Sequence, residues 1–126
     1  MTKIKVLNEK INGGQNLLFQ ELYGNNAAVL KEQAERYAGL MNEFEKIYGA
    51  DDVSLFSSPG RTEIGGNHTD HNFGRVLAGA VNLDNIAVAA ANGTEVIRIK
   101  SAGYPEFKVD LSDLSIDPAK FYTSES

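Results

Sequence analysis

Residues Ser57–Leu77, SSPGRTEIGGNHTDHNFGRVL, hold both histidines of the chain, an arginine after Pro-Gly, a Gly-Gly pair and the polar run Asn67-His68-Thr69-Asp70-His71. Together they offer an arginine fork, a carboxylate, an amide and two imidazoles, a set of donors and acceptors suited to a polar ligand. Glycines at 60, 65, 66 and 74 interleave with these groups and let the backbone approach such a ligand closely. A loop of this composition between core-forming segments is where binding residues tend to lie.

The segments on either side must position that loop. Leu30, Ala34, Tyr37, Met41, Phe44 and Tyr48 recur at steps of three and four, which predicts a core-packing helix over 26–48. Asn25 or Asn26 can cap its start, and Gly49 suits the position just past its end. Residues 1–23 read as a mixed N-terminal extension, in which Leu17, Leu18, Phe19 and Leu22 can form the apolar side of a short helix. Residues 53–111 read as strands carrying the binding loop. Val53–Ser58 has strand character and stops at Pro59, which cannot donate to a ladder. Val76–Val81 is a second strand, and Asp84–Ala91 and Thr94–Lys100 flank the hairpin signal Asn92-Gly93. Gly103-Tyr104-Pro105 marks a turn before Phe107–Leu111, and 112–126 is a polar tail. A helix followed by strands, some of them antiparallel neighbours, predicts an α+β fold.

Composition narrows the function. With 126 residues and 42% hydrophobic content, the chain is long enough for one domain with a core. A net charge of −5 argues against nucleic acid and against an anionic membrane surface as partners. No apolar run reaches the roughly 20 residues of a membrane helix, and the N-terminus lacks a signal-peptide core. Zero cysteines exclude disulfides and thiolate metal sites. A cytoplasmic protein is the simplest reading.

The ordered residues Pro59, Gly60, Arg61, Ile64, Gly66, His68, Asp70, Asn72, Gly74, Val76, Leu77 and Ala80 resemble the N-terminal signature of the galactokinases. That family sits in a larger group of small-molecule kinases acting on homoserine, mevalonate and phosphomevalonate. Its pattern runs Pro-Gly-Arg-x-Asn-Leu-Ile-Gly-Glu-His-x-Asp-Tyr-Asn-x-Gly-x-Val-Leu, with the same interval from arginine to histidine. The resemblance implies part of a ribosomal-protein-S5-domain-2-like kinase domain, whose parent transfers the γ-phosphoryl of ATP, with Mg2+, to the C1 hydroxyl of galactose or a related sugar. Arg61 matches the arginine that stabilises charge around the transferring phosphoryl group, a task suited to a planar, permanently charged guanidinium. Asp70 matches a carboxylate that accepts hydrogen bonds from sugar hydroxyls, and an ionised carboxylate can only accept. His68 matches a second sugar contact, with Thr69 and Asn67 completing the sugar-holding set. Ser101 falls near a serine that lies beside the nucleotide in some relatives.

The departures from the pattern carry expectations of their own. Glu63 stands for the family Asn, Gly65 for Ile, Asn67 for Glu, His71 for Tyr and Ala78 for Pro. The uncharged Asn67 predicts altered preference at the sugar's C6, including tolerance of a uronic acid. The Gly- and Ser-rich phosphate loop of the family does not occur within these residues, nor do the aspartate that pairs with the arginine and the groups that hold magnesium. The resemblance therefore implies an N-terminal fragment, inactive alone, that exposes apolar surface and self-associates.

Other readings of the same residues stay open. Arg61 can be an exposed turn arginine, Asp70 a turn former and His68 a structural hydrogen-bonding residue, while His71 and Asn72 suit structural roles. His68, Asp70 and His71 also resemble part of a metallo-hydrolase ligand run, without a further histidine to complete it. A sugar sensor related to the galactokinases, without catalysis, is a further alternative.

Overall fold

The computed structural model describes residues 2–13, 17–66 and 69–114, with the backbone alone at Asp70. Two compact units divide the chain between Ala91 and Asn92. The first is α+β, as the sequence pattern predicts.

The 26–48 expectation is met by a helix over Ala27–Tyr48, α3 in chain order. Asn26 caps it: its Oδ1 accepts the backbone N–H groups of Ala28 at 2.9 Å and Val29 at 3.4 Å. Gly49 ends it in the left-handed region at φ 67°, donating its N–H to the Glu45 carbonyl. The apolar face buries Ala34, Tyr37 and Met41, and Leu30 and Phe44 pack at its margins.

The N-terminal stretch is more ordered than its mixed sequence predicts. A two-residue strand, β1 (Thr2–Lys3), runs directly into a helix, α1 (Ile4–Asn12), which buries Ile4 and Ile11. The short helix anticipated near Leu17 forms as α2 (Leu17–Tyr23), but with a different face inward. Phe19 is buried and Tyr23 packs beside it, whereas Leu17, Leu18 and Leu22 are exposed. Aromatic pairing decides this choice. The rings of Phe19, Tyr23 and Tyr37 meet edge to face, with centroids 5.0, 5.5 and 6.3 Å apart.

Two long strands, β2 (Asp52–Gly65) and β3 (Leu77–Ala89), form an antiparallel hairpin, and β1 pairs with the start of β2. Val53 completes the core, with Leu55, Ile86 and Val88 packed against it from the same sheet. Here the structure corrects two sequence expectations. β2 does not end at Pro59; it continues through Pro-Gly-Arg, and the missing N–H of proline is accommodated at a bulge between Pro59 and Arg61. The segments Val76–Val81 and Asp84–Ala91 are one strand, because β2 is long enough to pair with nearly all of it.

In the second unit β4 (Val96–Ile99) pairs antiparallel with β5 (Phe107–Asp110) across the anticipated Gly103 turn. The partner of the Thr94–Lys100 segment is thus β5 and not the strand before Asn92-Gly93. Asn92 acts through its side chain: Oδ1 accepts the Thr94 N–H at 3.0 Å and Nδ2 donates to the Val96 carbonyl at 2.8 Å. That turns the backbone with side-chain hydrogen bonds in place of a two-residue hairpin.

A polar clamp fastens the β2–β3 hairpin to the helices. Asp84 on β3 accepts from Arg36 Nη1 of α3 at 2.5 Å, Tyr23 Oη of α2 at 2.5 Å and Ser57 Oγ of β2 at 2.6 Å. Arg36 Nη2 also donates to the Asp84 carbonyl at 2.6 Å. Burial is the largest influence on Asp84 and opposes its charge, yet Arg36, Ser57 and Tyr23 together outweigh it and bring the carboxyl down to about 2. Burial and the same carboxylate push the Tyr23 phenol above its ordinary range.

Candidate functional site

The candidate segment lies at the loop end of this hairpin, where β2 passes into β3. Arg61 stands on β2 opposite Ala80, and Glu63 stands opposite Ala78. Residues two apart on a strand share a face, so the guanidinium and the carboxylate project together. They form an ion pair, Arg61 Nη2 to Glu63 Oε1, at 3.2 Å. Bulges flank the pair, one between Pro59 and Arg61 and one between Glu63 and Gly65. The Pro-Gly-Arg segment is therefore a bulged strand and not the turn that its composition suggests.

Beyond Gly65 the chain leaves the sheet and curls back before β3. The curl is organised around Thr69. Its Oγ1 donates to the Gly66 carbonyl at 2.6 Å, its N–H to the same carbonyl at 2.9 Å, and its own carbonyl accepts from Asn72 and Gly74. A 3-10 turn over Asp70–Asn72 follows. Gly66 has φ 84°, and a β-carbon there would stand 2.1 Å from the Arg75 carbonyl oxygen. At Gly74 a β-carbon would come within 2.5 Å of the Thr69 side chain. These two glycines are required by the close crossing of the loop's entry and exit.

Arg61 is at the hairpin's end, its side chain 69% exposed. The Thr69 hydroxyl donates within the loop, to the Gly66 carbonyl, which ties the curl together. Asp70 opens the 3-10 turn, and its side chain lies outside the described residues, as do Asn67 and His68. Ser101 belongs to the second unit, where its carbonyl accepts the Tyr104 N–H in the turn after β4. Sequence reasoning missed Glu63 as the partner of Arg61. The signal was the R-x-E spacing, which matters only once 59–65 is read as strand.

Two hollows elsewhere on the first unit are unrelated to this loop. One lies between α1 and the end of α3, and the other between α1, α2 and β2, touching the segment only at Ser57. Among the described residues no three His, Asp or Glu side chains gather to hold a metal ion, and two exposed cations, Arg61 on β2 and Arg75 in the loop, lie in this segment.

The family model that matches residues 42–91 is the galactokinase galactose-binding signature. It spans the second half of α3, β2, the Thr69 loop and β3, all within the first unit. This stretch carries the signature of the galactokinase family. It is 35% identical over 89 residues to a galactokinase of Schizosaccharomyces pombe, covering 71% of this chain and 17% of that protein. To a galactokinase of Streptococcus suis it is 34% identical over 88 residues, covering 68% of this chain and 23% of the relative. The chain thus spans about a fifth of the length of the curated relatives it matches. No solved structure matches it.

Proposed function

We propose that this chain supplies the sugar-gripping part of a kinase that transfers the γ-phosphoryl of ATP to the C1 hydroxyl of galactose or a related sugar. The observation that carries this reading is the position of the galactose-binding signature, which coincides with the β2–β3 hairpin and the loop at its end. Asp70, with Asn67 and His68, would accept and donate hydrogen bonds to the sugar hydroxyls. Thr69 would hold those neighbours in place through the Gly66 and Gly74 contacts described above. Arg61 would stabilise the charge that develops as the phosphoryl group moves, the chief protein contribution in such a transfer. The neutral Asn67 would admit sugars altered at C6, galacturonate among them.

ATP would bring the phosphoryl group, with Ser101 beside the nucleotide, and Mg2+ would neutralise its oxygens. To the 126 residues we assign sugar binding without turnover, in a cytoplasmic setting. Self-association follows the same logic, since Phe56, Leu77 and Leu83 of the hairpin are exposed. Calorimetric titration with galactose tests the proposal. Saturable binding that Asp70→Asn weakens at least about tenfold supports it, a loss in line with the ~1.5–3 kcal/mol of a hydrogen bond to a charged group. Equal binding by the Asn variant, or no binding at all, would overturn it.

A further inference from the structure

The pairing of Arg61 with Glu63 is unassigned by anything in the family's galactose-binding pattern, where an uncharged Asn occupies the position of Glu63. Its geometry is that of a tether. The two side chains rise from the one regular stretch of the strand pair between two bulges, a frame that fixes their separation. Their cross-strand neighbours, Ala80 and Ala78, are small and bring no competing polar group. The exposures are unequal: the Glu63 side chain is 19% exposed and that of Arg61 69%. The carboxylate is thus rooted in the hairpin while the guanidinium reaches outward.

The contact is also weak for its kind. It joins one nitrogen to one oxygen at 3.2 Å, whereas charge-assisted bonds run nearer 2.7–2.9 Å and strong arginine pairs are bidentate. A guanidinium has five N–H donors, and Glu63 takes one of them. With the Arg61 side chain 69% exposed, solvent and solutes reach the group, and a single bond of this length can be exchanged for a better acceptor.

We propose that Glu63 is a positioning residue that holds the Arg61 guanidinium at the loop and offsets its charge, so that an anionic phosphoryl group engages Arg61 by exchange with the Glu63 carboxylate. This rests on the reading of Arg61 given above. It makes a prediction opposite in sign to that of a structural role, because removing the tether's charge strengthens anion binding. A substitution that merely damaged the hairpin would weaken it.

The test is titration of the 126-residue chain with inorganic phosphate, followed by NMR at the Arg61 Nε–H. Glu63→Gln and Glu63→Asn should each tighten phosphate binding about two- to fivefold, the range that a partly exposed ion pair of up to ~1 kcal/mol allows. Glu63→Asp, which keeps the carboxylate, should stay near wild type. Arg61→Gln should abolish the response in both backgrounds. Unchanged or weaker binding in both Gln and Asn variants overturns the role of Glu63 and leaves that of Arg61 standing. Phosphate binding that survives Arg61→Gln overturns both.

Discussion

Replacing Asp84 with Asn tests how the hairpin is anchored. The carboxylate receives Arg36, Tyr23 and Ser57, and its own side chain is only 9% exposed. Its pKa falls from 3.8 to about 2, and at roughly 1.4 kcal/mol per unit this stabilises the folded chain at neutral pH by about 2 kcal/mol. Severing a fully buried ion pair costs about 3–5 kcal/mol, but Arg36 is 36% exposed and recovers part of its hydration. Asp84→Asn should therefore lower the unfolding free energy by about 2 kcal/mol in urea denaturation at pH 7. The sign of the pH dependence follows from the depressed value. The contribution is present above the ordinary carboxylate range near 4 and is lost as pH falls towards 2. The gap between wild type and variant should close across that window, whatever other carboxylates do. A variant within about 0.5 kcal/mol of wild type at pH 7, or a gap that persists unchanged to pH 2, would refute the clamp.

Two substitutions in the loop should act in opposite directions. Gly66→Ala places a β-carbon 2.1 Å from the Arg75 carbonyl at φ 84° and should cost more than about 2 kcal/mol, read as a lowered midpoint in thermal unfolding. Phe73 has φ 60° with its ring exposed, and Phe73→Gly should relieve that strain and raise stability by about 0.5–1 kcal/mol in the same assay.

Much of this arrangement was legible before any coordinates. Asn26, Gly49 and the Leu30-to-Tyr48 face fixed α3, because capping chemistry and a 3.6-residue period are local properties. The glycine-rich segment stood out as the candidate region by its composition, and it lies inside the galactose-binding signature at residues 42–91. Other features were hidden because they depend on long-range partners. Pro59 looked like a strand end, and only pairing with β3 across a bulge carries β2 past it. Asn92-Gly93 looked like a hairpin turn, and the choice of β2 and β5 as partners was beyond any local signal. The outward Leu17, Leu18 and Leu22 reflect the preference of Phe19 and Tyr23 for the Tyr37 ring. Asp84 joins residues up to 61 positions away, so no spacing rule could reveal its role.

Where a sugar touches the chain tests the account most directly. Backbone amide NMR of the 126-residue chain titrated with galactose should show saturable shifts confined to residues 61–76, with 96–110 unmoved. Shifts centred on the β4–β5 unit, or on the grooves beside α1, would contradict the assignment of the hairpin loop to sugar binding.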